Sequence, residues 1–242
     1  MPNWCENEIT IRGRKDDILE FLEKFKGQRA VYSHDIFPEI ESDDIRVAKE
    51  PKRVYTFNAL CPVPKEVLQV GFDGWHRISE LDAIIKAHSL SGNSIKDSFL
   101  GVFTKTNAVK SYEEIKNLVQ KIEGEDAQKA MTLLRSIGTI PDGYTWQIDN
   151  WGTKWDCNLE EDVIDEEFIK SRDPDDDSVE LCIGMFTAWG PPLEFFEHVS
   201  PMFPRLFFEI SYAEPGCNFS GILELKNGET IREGEGAYGE YA

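Results

Sequence analysis

Three carboxylates are the residues of this chain best suited to chemistry: Asp149, Asp156 and Glu214. The first two flank a tryptophan-rich segment, and the geometry of a sheet can bring the third beside them. Two carboxyl groups on either side of a substrate can act as general acid and as base or nucleophile, and the distance between them decides the reaction. A small-molecule hydrolase is therefore one hypothesis, although the sequence does not fix that distance.

Two tryptophan-containing segments are the most distinctive part of the sequence. They are Asn150-Trp151-Gly152-Thr153-Lys154-Trp155-Asp156 and Thr187-Ala188-Trp189-Gly190-Pro191-Pro192. Each places aromatic surface beside hydrogen-bonding groups, a mixture typical of binding clefts and of half-buried sheets. The residues of the candidate binding groove are therefore Asn150, Trp151, Lys154, Trp155, Asp156, Trp189 and Glu214.

The same segments also have a purely structural interpretation. If the first segment is a strand, Trp151 and Trp155 point to the same face, because they are four residues apart. Both would then pack against Trp189 and the proline turn, with Lys154 and Asp156 on the wetter face. The sequence leaves a core role and a binding groove open.

Cysteine and histidine patterns indicate neither a metal site nor a cofactor. The five cysteines are scattered, form no C-x-x-C pair, and lie far from the four histidines. Zinc and iron–sulfur sites normally show closer ligand spacing. A Walker loop, a G-x-G-x-x-G after a strand, H-E-x-x-H and G-x-S-x-G are all absent. We expect no metal, no cofactor and no catalytic residue; a nucleophilic pair of His198 with Cys182 or Cys217 is the remaining alternative.

The net charge of the chain is −19, from 26 basic and 45 acidic residues. Acidic residues concentrate in 39–44, 160–167 and 173–177. Phosphate contacts need clustered Lys and Arg, so we expect no direct nucleic-acid binding. These segments are either solvated surface that keeps the protein soluble, or carboxylates that mimic the phosphates of DNA to inhibit a host defence nuclease. A calcium site at 173–177 is a third alternative, although the segment lacks the D-x-D-x-D-G pattern and the distal glutamate of an EF-hand.

The sequence also bears on location. No apolar run has the length of a membrane span, and no basic region followed by an apolar one marks a secretory signal. The scattered cysteines suit free thiols in a reducing compartment. We therefore expect a cytoplasmic protein without a membrane partner, and self-association stays open.

Hydrophobic periodicity predicts an α+β protein with a β-α-β opening. Alternation over 7–13 predicts a first strand, and apolar residues at helical spacing over 16–25 predict a helix that Gly27 ends. Residues 54–60 predict a second strand that two prolines terminate.

The middle and the end of the chain differ in pattern. Amphipathic stripes at 75–85, 111–122 and 127–137 predict helices. The last part has a short helix opened by Pro191-Pro192 and a hairpin turn at Asn227-Gly228. Strands are predicted at 144–148, 150–159, 179–187, 206–212, 221–225 and 230–232.

These elements divide the chain into four parts. We assign 1–68 to the N-terminal β-α-β part of a sheet domain, 69–143 to a mainly helical insertion, 144–233 to a C-terminal β-β-α-β-β part and 234–242 to a flexible tail. Strand, helix, strand and hairpin in this order suit an antiparallel sheet with helices on one face.

Several short segments occur in a recognisable order. Besides the two tryptophan segments they are Pro2-Asn3-Trp4-Cys5-Glu6-Asn7, Cys61-Pro62-Val63-Pro64, Tyr212-Ala213-Glu214-Pro215-Gly216 and Phe219-Ser220-Gly221. Together they resemble the YubB-type family, phage- and plasmid-borne proteins of unknown function with a ferredoxin-like domain. The resemblance implies a ferredoxin-like antiparallel sheet and a mobile-element context, and it supplies no catalytic residues.

The prediction for function follows from these observations. We predict a non-enzymatic accessory protein of a phage or other mobile element that binds a macromolecule, namely a host or element-encoded protein. The alternatives are the acidic DNA mimic and the hydrolase with a tryptophan-rich cleft.

Overall fold

The structure is a computed structural model that describes residues 3–32, 53–72, 141–157, 159, 164–173, 176 and 178–241. The chain forms two compact units. One comprises 1–29, 49–62 and 147–242, and the other comprises 30–48 and 63–146. The three helices predicted in the middle of the chain, and most of the 69–143 insertion, lie outside the described residues. The predicted domain boundaries therefore stay predictions.

A five-stranded antiparallel sheet forms the centre of the first unit, in the order β4-β1-β5-β6-β7. The strand β1 lies between two strands from the far end of the chain. It pairs with β4 from Trp4 opposite Ala188 to Gly13 opposite Val179. The strands are β1 Trp4–Gly13, β4 Val179–Ala188, β5 Phe207–Glu214, β6 Phe219–Lys226 and β7 Glu229–Ala237, and a separate two-stranded sheet consists of β2 Lys26–Gly27 and β3 Val54–Tyr55.

Helices of the first unit cover one face of the large sheet, and strands β1, β4, β5 and β6 direct their buried side chains toward that face. The helices of the described chain are α1 Lys15–Phe25, α2 Phe57–Leu60, α3 Lys65–Val70, α4 Gly143–Trp151, α5 Glu166–Lys170 and α6 Leu193–Val199, followed by a 3-10 turn at Ser200–Met202; α3 and the first residues of α4 belong to the second unit. In α1 the apolar residues Ile18, Phe21, Leu22 and Phe25 recur at helical spacing and are buried. Phe21 of α1 packs edge-on against Phe208 of β5, with ring centroids 5.7 Å apart. The α+β prediction is confirmed.

The described part of the second unit is small. Tyr32 packs edge-on against Phe72, and Phe72 in turn packs edge-on against Tyr144. The N–H groups of Gly143 and Tyr144 donate to the carbonyls of Gly71 and Phe72. None of the described helices is both long and apolar enough to cross a membrane.

Several predicted elements are confirmed. The strands at 7–13, 179–187 and 206–212, the helix at 16–25 and the helix after Pro192 are all present. The hairpin turn between β6 and β7 has Asn227 at φ 52° and Gly228 at φ 78°. Two consecutive positive φ angles define the turn that Asn-Gly favours between two antiparallel strands.

The strands predicted at 144–148 and 150–159 are wrong. Helix α4 occupies Gly143–Trp151, and bends follow it. The Asp142 carboxylate accepts from the N–H of Thr145 at 2.9 Å and caps the helix. The segment is rich in Tyr, Thr, Trp and Ile, which favour strands, but this local cap and tertiary packing decide the conformation.

Smaller corrections concern three other positions. The strand predicted at 54–60 ends at Tyr55, because the Thr56 hydroxyl accepts from the N–H of Asn58 and caps α2. Gly27 lies in β2 and does not cap α1. The tail predicted from Gly234 is paired in β7 as far as Ala237.

The two edges of the large sheet differ in kind. Edge strand β7 carries charged residues, includes a register shift near Glu224 of its neighbour β6, and has the ring of Tyr241 over Gly234. Edge strand β4 contains neither lysine nor proline and pairs with β1 over ten residues without a shift. Charges, prolines and bulges are the usual devices that keep an edge strand from pairing with another chain.

Candidate functional site: the tryptophan segments and an aromatic corner

Trp151 lies in the core of the first unit. Its side chain is fully buried and packs against Phe57, with ring centroids 5.7 Å apart. Its indole N–H donates to the carbonyl of Cys61 at 3.0 Å. The last residue of α4 is thus bonded to the chain just after α2. The prediction that Trp151 and Trp155 share one face of a strand is wrong, because Trp151 ends a helix.

Gly152 and Thr153 connect the first tryptophan segment to the end of β4. The Thr153 hydroxyl donates to the carbonyl of Ala188 at 3.0 Å, and it accepts from the N–H of Ala188 at 3.1 Å. A Cβ on Gly152 would lie 2.6 Å from the carbonyl oxygen of Pro191, so the backbone of this turn needs a glycine. The two tryptophan segments therefore meet through backbone and hydroxyl contacts.

Asn7 holds the end of β4 from the other side. Its amide donates to the Thr187 hydroxyl at 2.8 Å, and that hydroxyl donates to the carbonyl of Gly190 at 2.7 Å. The N–H of Trp189 donates to the carbonyl of Asn3 at 3.0 Å. These buried polar groups are satisfied within the protein, which fixes the turn that carries Trp189.

Asp156 fastens the start of α2. Its carboxylate accepts hydrogen bonds from the Thr56 hydroxyl, from the N–H of Phe57 at 2.7 Å and from the N–H of Cys157 at 2.8 Å. Burial raises the pKa of Asp156, although these hydrogen bonds oppose the shift. The carboxylate thus joins the segment after α4 to α2 and does not line a wet face.

The raised pKa of Asp156 predicts a pH effect on stability. Because the folded protein holds this proton more tightly than the unfolded chain does, the contribution of Asp156 is largest below its ordinary pKa of 3.8 and declines as pH rises through the raised value. We expect the unfolding free energy of the wild type, minus that of Asp156→Asn, to become smaller between about pH 3.5 and about pH 7. Urea unfolding at both pH values measures it, and an unchanged difference would contradict the assignment.

Glu214 closes the turn between β5 and β6. Its carboxylate accepts from the N–H of Gly216 at 2.9 Å and from the N–H of Cys217. Burial opposes ionisation, but these bonds and the Asn3 amide outweigh it and lower the pKa of Glu214. The Asn3 amide also donates to the Cys217 sulfur at 3.3 Å.

The hydrolase hypothesis needs carboxylates that converge on open space. The Asp156 carboxylate is engaged with the N–H groups of Phe57 and Cys157, and the Glu214 carboxylate with the backbone of its own turn. Asp149 is exposed on α4. The alternative pair of His198 with Cys182 is separated by the sheet, because α6 lies on the covered face and Cys182 points to the other.

Within the described part of the chain, no group of three or more potential ligands is arranged to hold a metal.

An aromatic corner is exposed at one end of the sheet face on which no described helix packs, called the uncovered face below; it consists of Trp4, Trp155 and Phe186. Trp4 and Trp155 pack together with ring centroids 5.9 Å apart. The side chains are 47%, 37% and 58% exposed, respectively. Phe186 shares the face of Trp4, because Trp4 pairs with Ala188 and side chains alternate along β4. Trp189, 48% exposed, follows directly in the chain.

The other candidate residues lie around this corner. The Lys154 ammonium sits over the Trp155 ring, 5.1 Å from its centroid. Asn150 is half-buried on α4. The predicted groove is thus divided: Trp151, Asp156 and Glu214 stabilise the fold, whereas Lys154, Trp155 and Trp189 reach the surface.

Phe186, Glu6, Glu8 and Gly184 extend this surface and were missed in the sequence analysis. All four occupy uncovered-face positions of β1 and β4. The signal was present, since an aromatic residue at a polar position of an alternating strand departs from the pattern of a one-sided sheet. Sequence alone did not reveal that β1 and β4 are neighbours.

Thiol reactivity gives a direct test of this arrangement. Cys5, Cys61 and Cys157 are buried, whereas Cys182 and Cys217 are exposed. Burial raises the pKa of Cys5 to about 12 and also raises the pKa of Cys61 and Cys157. Because the thiolate is the reactive form, we expect a chromogenic disulfide reagent to titrate two thiols in the native protein and five after unfolding. Fast reaction of a third thiol in native protein would contradict the burial.

A family model supports a ferredoxin-like fold for the C-terminal part of the chain. Residues 167–242 match the model of a family described as "Ferredoxin-like domain in Api92-like protein". The crystal structure of a protein api92 from Yersinia pseudotuberculosis is similar over 100% of both chains at 11% identity, with a TM-score of 0.42. No curated protein matches the chain.

The matched region contains β4, β5, β6 and β7, while the strand between β4 and β5 comes from the N-terminal part. The family description names a fold and assigns no activity. The chain is therefore an α+β protein with a ferredoxin-like domain, and its residues 167–242 are similar to the ferredoxin-like domain of Api92-like proteins.

Proposed function

We propose that this protein acts by binding another protein, without catalysis, through the aromatic corner. The observation that carries the proposal is the exposure of Trp4, Trp155 and Phe186 on a sheet face that no described helix covers. Tryptophan and other aromatic side chains contribute most to protein–protein interfaces, because they bury large apolar areas at small cost in conformational entropy.

The contrast with the core supports this assignment. Trp151 shows that the fold can bury a tryptophan completely and satisfy its indole N–H. The three rings of the corner instead leave between about one third and three fifths of their surface in water. Contiguous exposed apolar surface on a soluble protein marks an interaction site more often than a packing defect.

The biological setting proposed here is that of an accessory protein of a phage or other mobile element. It rests on the YubB-type resemblance of the Asn3-Trp4 segment, the two tryptophan segments and the Tyr212–Gly216 segment. A protein partner from the host or from the element fits a chain with a binding surface and fixed, internally bonded carboxylates.

The DNA-mimic alternative gains no support from the described acidic residues. The Asp165 carboxylate caps α5, and Glu166 accepts from the Tyr55 hydroxyl at 2.6 Å. Glu167 pairs with Lys170, and Asp176 accepts from Ser178. These carboxylates serve local structure. The acidic segment at 39–44 lies outside the described residues, as do residues 160–163, 174, 175 and 177 of the other two acidic segments.

Affinity capture with matched variants tests the proposal. Tagged wild type, the double variant Trp4→Ala/Phe186→Ala and the control Tyr238→Ala are incubated with lysate of the cells that naturally contain the protein. Tyr238 is similarly exposed but lies beyond β7, at the opposite edge of the sheet. Circular dichroism confirms that all three are folded.

We expect a stoichiometric protein that the wild type and Tyr238→Ala recover equally and that the double variant recovers at least about tenfold less, as for loss of interface hot spots. Equal recovery by all three proteins, or recovery by none, would refute the assignment of the corner.

A further inference from the structure

We propose that the partner binds by strand addition: an extended segment of the partner pairs with the outer edge of β4 and places a lysine or arginine over Gly184 against Glu8. This inference rests on the proposed protein-binding function and specifies the chemistry of the partner. Strand addition is an established mode of peptide recognition, in which main-chain hydrogen bonds give affinity and side-chain pockets give specificity.

The backbone of β4 has groups directed outward. The N–H of Ala188 donates to the Thr153 hydroxyl and not to β1, and the Ala188 carbonyl accepts from the same hydroxyl. The backbone N–H of the next residue, Trp189, points toward β1, since it donates to the carbonyl of Asn3. Direction alternates along an antiparallel strand, and the register has no shift, so the N–H and C=O groups of Phe186, Gly184 and Cys182 also point outward.

This edge lacks the usual protection. No described strand pairs with it, and the only hydrogen bonds to its outward groups among the described residues are those of Thr153 and Lys154 at Ala188. The strand is long, apolar on alternate residues and free of lysine and proline. The opposite edge, β7, has both charge and irregular pairing. A soluble protein that protects one edge and leaves the other regular has an edge suited to an added strand.

At Gly184 the absence of a side chain leaves room for a partner side chain to lie across β4. A Cβ built on Gly184 meets no atom of the described residues within 4 Å, so none of them fills the uncovered face at this point. A shallow gap lies here, lined by Glu6, Glu8, Cys182, Gly184, Phe186 and Ser211. Glu8 on β1 is directly opposite Gly184.

Distance and charge select the side chain that fills this gap. Neighbouring strands lie about 4.8 Å apart, so an added strand runs roughly 10 Å from β1. A lysine or arginine side chain spans that distance, and Gly184 leaves its path free. The carboxylates of Glu6 and Glu8 form no ion pair among the described residues, whereas Glu180 and Glu209 share Arg12. The residue of the added strand two positions from this lysine or arginine lies opposite Phe186, so an apolar side chain there would pack against the Phe186 ring.

The same charges argue against a second copy of this chain at the edge. Two molecules paired through β4 would bring the acidic faces of both sheets side by side, and like charges repel. A basic partner segment instead compensates Glu6 and Glu8, and it matches a chain with a net charge of −19.

A synthetic peptide tests the proposal directly. The probe is fluorescein-labelled Thr-Lys-Thr-Lys-Thr-Val-Thr-Val-Thr, with both ends blocked, and anisotropy reports binding to the full chain. One control peptide replaces each Lys by Glu, and another is methylated at alternate backbone nitrogens, so that it cannot pair as a strand. We expect the lysine peptide to bind at least about tenfold more tightly than either control at low salt.

Variants of the protein locate the site. Gly184→Leu fills the gap and Glu8→Gln removes the carboxylate, and each should weaken peptide binding at least about fivefold. The control Glu229→Gln makes the same charge change at the opposite edge and should leave binding within about twofold. Equal binding of lysine and glutamate peptides, equal binding of the methylated peptide, or no effect of Gly184→Leu would refute strand addition.

The two proposals fail in distinguishable ways. If the captured protein depends on Trp4 and Phe186 but not on Gly184 or Glu8, protein binding stands and strand addition is wrong. If sedimentation shows a wild-type dimer that Gly184→Leu dissociates, a second copy occupies the edge, which also refutes the basic segment. If capture is independent of the aromatic corner, the proposed function itself is wrong.

Discussion

Trp151→Ala is expected to lower the free energy of unfolding by about 3–5 kcal/mol, the usual cost of truncating a fully buried tryptophan. The side chain is inaccessible to water and packs on Phe57, which itself packs on Phe195 with ring centroids 4.3 Å apart. Its loss leaves a cavity at the junction of α4, α2 and α6. It also leaves the buried carbonyl of Cys61 without its indole donor.

The matched control for this prediction is Trp155→Ala in the same segment. Trp155 is partly exposed and touches Trp4 and Lys154, so its truncation should cost less than about 1.5 kcal/mol. Urea unfolding followed by far-ultraviolet circular dichroism compares both variants with the wild type, because fluorescence changes with the tryptophan count. Similar losses from both substitutions would contradict the division of the segment into a core half and a surface half.

Gly152→Ala is expected to destabilise the protein by about 2–4 kcal/mol, through backbone strain of about 1 kcal/mol and overpacking of about 1–3 kcal/mol. Gly152 has φ of 79°, a region that residues with a Cβ seldom adopt. The added methyl group would also meet the carbonyl oxygen of Pro191, which belongs to a backbone turn and cannot rotate away as a side chain can.

Gly184→Ala provides the control for Gly152→Ala. Its new methyl group meets no atom of the described residues within 4 Å. Replacing glycine by alanine also lowers the conformational entropy of the unfolded chain, which favours the folded state. The variant should therefore be as stable as the wild type or more stable by up to about 1 kcal/mol. Thermal unfolding of both variants measures the contrast. A Gly152→Ala protein as stable as Gly184→Ala would show that the turn adapts to a Cβ.

Much of the large sheet was predictable because it depends on local patterns. Alternation identified β4 and β5, helical spacing identified α1, and Asn227-Gly228 identified the hairpin. In each case the local preference and the tertiary environment agree. The strands predicted around Trp151 failed because residue types that favour strands stand in a helix that Asp142 caps and the aromatic core holds.

The candidate site was predictable only in part, for a different reason. Residue types suggested a binding role for the tryptophans, but burial decides which of them a partner can reach. Trp151 and Trp155 are close in sequence and have opposite environments. The carboxylate of Asp156 was assigned to a wet face, whereas it holds Thr56 and Phe57 from a distant segment. Such long-range pairings leave no trace in local spacing.

The position of β1 between β4 and β5 has a consequence for synthesis of the chain on the ribosome. Its two neighbours, β4 and β5, begin at Val179 and Phe207, so β1 leaves the exit tunnel long before either partner is translated. At about 5–20 residues per second, the delay is on the order of ten to thirty seconds. During this time the nascent chain carries an alternating apolar strand without a partner. We therefore expect the large sheet to fold slowly and only after β4 and β5 have been translated, because the contacts of β1 with both strands have high sequence separation.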